Sequence, residues 1–116
     1  MKKEFLDYLE DIIEAMNNAM KFVEDLEFDD FVKDSRTNYA AVRALEIVGE
    51  AAKKIPDRVK ASYPDIPWRD MAGMRDKLIH EYFGVNLDAV WRAATKELPR
   101  IKPLIEKILS ELENDK

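Results

Sequence analysis

The sequence predicts an all-α protein: an antiparallel, up-and-down bundle of four to five helices, in a single domain over residues 1–116. Three observations carry this prediction. Apolar residues at 47% and charged residues at 37%, with only three glycines, suit a compact helix-rich chain better than a sheet or a disordered one. Apolar positions recur at spacings of three and four along most of the chain, without strand-like alternation, internal repeats or low-complexity tracts. The joints between these stretches are short, which sets successive helices antiparallel.

Phe5, Leu9, Ile12, Met16, Met20 and Val23 form one stripe, predicting a long amphipathic helix from about Lys3 to Leu26. Phe28 to Phe31 and Ser35 to Asn38 break the pattern. It resumes with Ala41, Leu45, Val48, Ala52 and Ile55 until Pro56 stops it. Asp57 to Tyr63 is long enough for a short helix, and Pro64 and Pro67 punctuate a loop. Trp68 then opens a helix running to about Phe83, with Gly84 as its end. Asn86 is the natural N-cap of a helix carrying Leu87, Val90, Trp91, Ala94 and Leu98. Ile101, Leu104, Ile105, Ile108 and Leu112 form the last stripe, and Pro99 and Pro103 are expected to break or kink the chain between the two. Gly49 and Gly73 fall inside predicted helices, where each costs about 1 kcal/mol relative to alanine, so close helix approach is expected at both.

The composition also excludes chemistries. Without cysteine there are no disulfides, thiol nucleophiles or thiolate zinc sites, and a cytoplasmic location is the simplest one. No apolar run approaches the roughly 18 residues of a membrane span, and Met1-Lys2-Lys3 leads into an acidic amphipathic stretch rather than a signal peptide's apolar core. The net charge of −5 is unevenly spread: residues 1–34 hold four bases and eleven acids, whereas residues 35–102 hold thirteen bases and nine acids. A polyanion would meet the middle of the chain and avoid the first segment.

The one histidine, His80, lies in a segment crowded with polar groups, Met74 to Gly84. On a helical wheel Trp68, Met71, Arg75, Leu78 and Tyr82 share one stripe, so an arginine and a tyrosine interrupt an apolar seam. Asp76 and His80, four apart, are spaced for the carboxylate to orient the imidazole and favour its protonated form. Lys77 and Glu81 read as a surface ion pair of little consequence. Glu46 and Glu50 share a helix face, but the Glu-x-x-His and His-Glu-x-x-His spacings of metal centres are missing, as is a phosphate-cradling glycine loop. On a straight helix His80 sits about 140° from Arg75, so the two converge poorly within one chain. A twofold dimer would bring two arginines and two histidines to one cleft.

Arg75-x4-His80-x-Tyr82, with Asp76 after the arginine, resembles the signature of the HEPN superfamily, and specifically of its HepT-like toxin branch. Arg43-Ala44-Leu45-Glu46-Ile47-Val48-Gly49-Glu50-Ala51-Ala52 resembles that branch's second-helix signature, and Ile66-Pro67-Trp68-Arg69 and Glu81-Tyr82-Phe83-Gly84-Val85 flank the motif in its manner. The resemblance spans roughly Asn38 to Leu112. It implies a dimeric helical bundle that cleaves RNA with neither metal nor cofactor, with Arg75 and His80 of both subunits lining a shared cleft and Glu50 in a supporting role. It also implies a toxin silenced by a minimal nucleotidyltransferase antitoxin, which adds AMP to Tyr82.

The chemistry to expect is in-line attack of a ribose 2′-hydroxyl on the adjacent phosphate, with His80 moving a proton and Arg75 holding the charge of the pentavalent phosphate. Lys53, Lys54, Arg58, Arg69 and Arg92 are candidates for the RNA backbone's path. Two other classes stay open from the residues: a non-catalytic helical module that only pairs with a nucleotidyltransferase, and a small helical ligand-binding protein.

Overall fold

The structure, a computed structural model, describes residues 5–74, 76, 79–80 and 84–114. Helix α1 (Phe5–Val23) turns Leu9, Ile12, Ala15, Met16, Ala19 and Val23 inward, the face its stripe predicts. It ends in a turn where Asp25 takes a positive φ of 68°, a conformation that a short polar side chain tolerates. The short α2 (Phe28–Lys33) follows, and Asp34 then caps α3 (Ser35–Lys53). The Asp34 carboxylate accepts the Thr37 backbone N–H at 3.1 Å and the Thr37 hydroxyl at 2.7 Å. These bonds, the hydroxyl's first, hold the Asp34 carboxyl below its ordinary pKa. Residues expected to break the pattern therefore form α2 and the first turn of α3. That turn is made of polar residues, its inward-facing Asn38 included, so it shows no apolar stripe.

Helix α4 (Asp57–Ser62) and helix α5 (Trp68–Ala72) are short. The expected helix from Trp68 to about Phe83 is not one element. Gly73 caps α5, Met74 and Asp76 are again helical, and Ile79–His80 (β1) pairs antiparallel with Gly84–Val85 (β2), setting Ile79 opposite Val85 and His80 opposite Gly84. β-branched Ile79 and Val85, set opposite one another, favour extended backbone over helix. The all-α class holds, with this two-residue ladder as its one extended feature among the described residues.

Helix α6 (Leu87–Arg92) begins at Asn86, whose Oδ1 accepts the Ala89 N–H at 3.0 Å, as its cap position predicts. A π-helical turn, Ala93–Glu97, joins it to α7 (Leu98–Asn114). Neither proline breaks the chain there. Pro99 follows the π turn, which widens the backbone where the proline ring would meet the Thr95 carbonyl, and Pro103 is accommodated inside α7.

The three long helices build the frame. α1 packs chiefly on α3 and also on α7. The Arg58 guanidinium lies 5.4 Å from the centre of the Phe5 ring, which puts the end of α3 and α4 beside the start of α1. At the other end Met20 and Val23 share a surface hollow with Thr95 and Pro99, so α7 starts where α1 finishes. Both neighbours of α1 thus run antiparallel to it. Leu9, Ile12, Met16, Leu45, Leu98 and Ile105 are fully buried between them, each worth about 1.5–3 kcal/mol in transfer free energy. α2 closes one side through Phe31, whose ring lies 5.2 Å from that of Trp91, while buried Asn38 donates from Nδ2 to the Phe31 carbonyl at 3.4 Å.

Candidate functional site

The motif segment enters from α5, and Gly49 fixes where α5 sits. A Cβ at Gly49 would lie 3.1 Å from the Met71 carbonyl oxygen and 3.4 Å from that of Ala72, so the last turn of α5 rests directly on the α3 backbone. The close approach expected at Gly49 is present. At Gly73 a Cβ would make only an ordinary 3.4 Å contact with the Arg69 carbonyl, so this glycine serves as a helix stop instead. Trp68 pins the start of α5, its Nε1–H donating to the Tyr63 carbonyl at 3.0 Å, and Met74 tucks its side chain inward at 7% exposure.

From that anchor the chain passes Asp76, which is exposed and helical, to His80 on β1. β2 then delivers it to the Asn86 cap, so the segment is held at both ends by elements packed into the bundle. Arg75 and Tyr82 lie outside the described residues, as do Lys77 and Glu81. The helical wheel that placed Arg75, Leu78 and Tyr82 on one stripe with Trp68 does not apply across this segment, because His80 is extended. The geometric reason given for a dimer, an angle of about 140° on a straight helix, falls with it.

Glu50 follows Gly49 on α3 and is exposed beside the α5 junction. Lys53, Lys54 and Arg58 are exposed together at the end of α3 and on α4, Arg58 with its guanidinium partly occupied by Phe5. Arg69 is exposed on α5. Arg92 is exposed on α6 and ion-paired with Asp88 one turn back. Among the described residues no three His, Cys, Asp or Glu side chains converge as a metal site, and no helix is long and apolar enough to cross a membrane.

One feature escaped the sequence reading. A cavity of about 260 Å³ lies between α5 and the α6–α7 junction, with buried Met74, Ala93 and Ile101 on its floor. Arg92, Glu97 and Arg100 line it as well, and Arg100 donates to Glu97 at 3.0 Å. In a regular helix residues five apart diverge by about 140°. In a π turn, bonded from i to i+5, they stack on one side, which brings Arg92 and Glu97 to the same opening. No apolar spacing signals a π turn, so only the proline at 99 hinted at it.

The family model for HepT-like ribonucleases matches residues 12–108, a span running from α1 to α7 and containing the whole motif. The chain belongs to the HepT-like ribonuclease family. It is 48% identical over 108 residues to "Probable ribonuclease HepT" of Thermococcus cleftensis, covering 93% of this chain and 98% of that protein. It is 45% identical over 112 residues to "Putative RNase MJ1216" of Methanocaldococcus jannaschii, covering 97% and 93% respectively. A third relative, "Putative RNase TTE0752" of Caldanaerobacter subterraneus, is 44% identical over 102 residues, covering 88% of this chain and 91% of its own. No solved structure matches the chain. Family membership supports ribonuclease function and makes RNA the substrate class to test.

Proposed function

We propose that this chain is a metal-independent endoribonuclease, the toxin of a toxin–antitoxin pair, acting as a homodimer in the cytoplasm. The observation that carries the reading is the family match through residues 12–108, a span that contains Arg75, His80 and Tyr82, the residues of the motif resembled in sequence. The 2′-hydroxyl of the substrate attacks the adjacent phosphate, forming the new P–O bond as the bond to the 5′ oxygen breaks. The products are a 2′,3′-cyclic phosphate and a free 5′-hydroxyl. His80 takes the hydroxyl's proton or delivers one to the leaving oxygen, and Arg75 holds the extra negative charge through paired N–H donors. With one histidine per chain, a second subunit supplies the second acid–base group. Asp76 and Glu50 support the pair, and Lys53, Lys54, Arg58, Arg69 and Arg92 track the RNA backbone.

Incubation of the protein with a mixed RNA pool, beside Arg75→Ala and His80→Ala versions, tests this reading. Cleavage should fall at least about 100-fold in each variant, the scale of a lost general acid–base or charge-stabilising group. Equal cleavage by all three would remove both residues from the mechanism. The proposed silencer is a minimal nucleotidyltransferase that adds AMP to Tyr82, setting a negative phosphodiester and a bulky nucleoside where RNA should bind. After incubation with that partner and ATP, intact mass should show AMP on the wild type and none on Tyr82→Phe. An adduct on the phenylalanine variant would contradict the assignment.

A further inference from the structure

We infer that the cavity between α5 and the α6–α7 junction is a subsite for one unstacked base of single-stranded RNA, and that it prefers guanine. The inference rests on the ribonuclease reading and adds a specificity-determining site to it. Size comes first. At about 260 Å³ the cavity falls just below the range of about 300–1,000 Å³ typical of drug-sized ligands, which suits a single ring system. Its floor is apolar, with Met74, Ala93 and Ile101 at 7%, 5% and 2% exposure, as the face of a base requires. The Met74 thioether is a soft, polarisable surface for such a ring.

The rim supplies the discrimination. Glu97 and Arg100 form an ion pair at 3.0 Å, with side chains 45% and 60% exposed. A pair so exposed is weakly held, so it opens at little cost and each member is available to a ligand. A carboxylate offers two parallel acceptors. Guanine alone presents two adjacent donors, N1–H and the 2-amino group, to such an edge, and its O6 and N7 accept from a guanidinium. Adenine and cytosine set an acceptor beside their amino group, and uracil flanks its single N–H with two carbonyls, so each meets the carboxylate with at least one repulsive contact.

Placement ties the cavity to the motif segment. Met74, on the floor, directly precedes the motif segment in the chain, so the cavity lies at the end of α5 from which that segment leaves. Arg92 on the same lining, already a candidate for the RNA backbone, is positioned to take a phosphate of the nucleotide whose base sits here. The π turn is what assembles the set, since it stacks Arg92 with Glu97 while Arg100 follows one turn later.

The test is an NMR titration of the full, isotope-labelled chain with 5′-GMP, 5′-AMP, 5′-CMP, 5′-UMP and inorganic phosphate. GMP should move the backbone amides of Ala89, Ala93 and Glu97 at concentrations about tenfold lower than the other three nucleotides, the scale of one good bidentate base contact. Glu97→Gln should erase that preference with the rest of the spectrum unchanged, and Ala89→Leu, which narrows the opening, should weaken all four nucleotides. Equal response to the four nucleotides, phosphate acting as strongly as GMP, or amides that stay still would overturn the subsite. The outcomes separate the two readings: GMP bound here by a chain that cuts no RNA would sink the ribonuclease reading and keep the subsite, whereas RNA cleavage with a silent cavity would do the reverse.

Discussion

At Gly49 one methyl group decides how α5 sits on α3. In an open helical position glycine to alanine would add about 1 kcal/mol of stability. Here the new Cβ would lie 3.1 Å from a backbone carbonyl that cannot rotate away, and overpacking of this kind costs about 1–3 kcal/mol. Gly49→Ala should therefore be about 1 kcal/mol less stable than wild type by denaturant midpoint. A more stable variant would mean that α5 yields freely. Gly49 and Asn86 were legible because each acts through a local rule, glycine for close approach and asparagine for an N-cap. Asp34 was not, since its partner Thr37 lies in a polar turn that carries no apolar pattern. Glu97 and Arg100 were missed because regular-helix spacing hides what a π turn stacks.

Among the elements, α7 tests how far a proline can be absorbed. Pro103 lies inside the helix, where it offers no N–H to the carbonyl four residues back and its ring crowds that carbonyl. Pro103 is exposed, so alanine there leaves the core untouched. Pro103→Ala should stabilise the protein by about 1–3 kcal/mol, less whatever the more flexible unfolded chain takes back. A destabilised variant in thermal unfolding would show that the proline is needed where it stands in α7. The apolar stripes of α1, α3 and α7 were readable because long amphipathic helices repeat their signal over several turns. The ladder of Ile79–His80 with Gly84–Val85 was not, since two residues per strand are too few for alternation to register against a 3.6-residue pattern.

The whole molecule measures 46 × 29 × 26 Å, an elongated bundle with an acidic first segment and a more basic middle segment along its chain. Among the described residues the acids of the first segment lie on α1, α2, the turn between them and the cap of α3, and most of the bases lie from α3 to the start of α7. The fold class and family were legible because they rest on periodicity and on three motif blocks in order. The break of the expected Trp68–Phe83 helix into α5 and a ladder was not, because apolar spacing alone does not register a two-residue strand.

The central claim is that RNA is cut by its own 2′-hydroxyl without a metal, and one cleavage assay addresses it directly. The purified wild-type chain is incubated, in excess EDTA, with a single-stranded RNA and with the same sequence carrying 2′-deoxy sugars throughout, and product ends are read by mass. The account predicts that the RNA is cut to fragments ending in 2′,3′-cyclic phosphate while the deoxy strand stays intact. Cleavage abolished by EDTA and restored by magnesium or manganese, or equal cleavage of the deoxy strand, would contradict it.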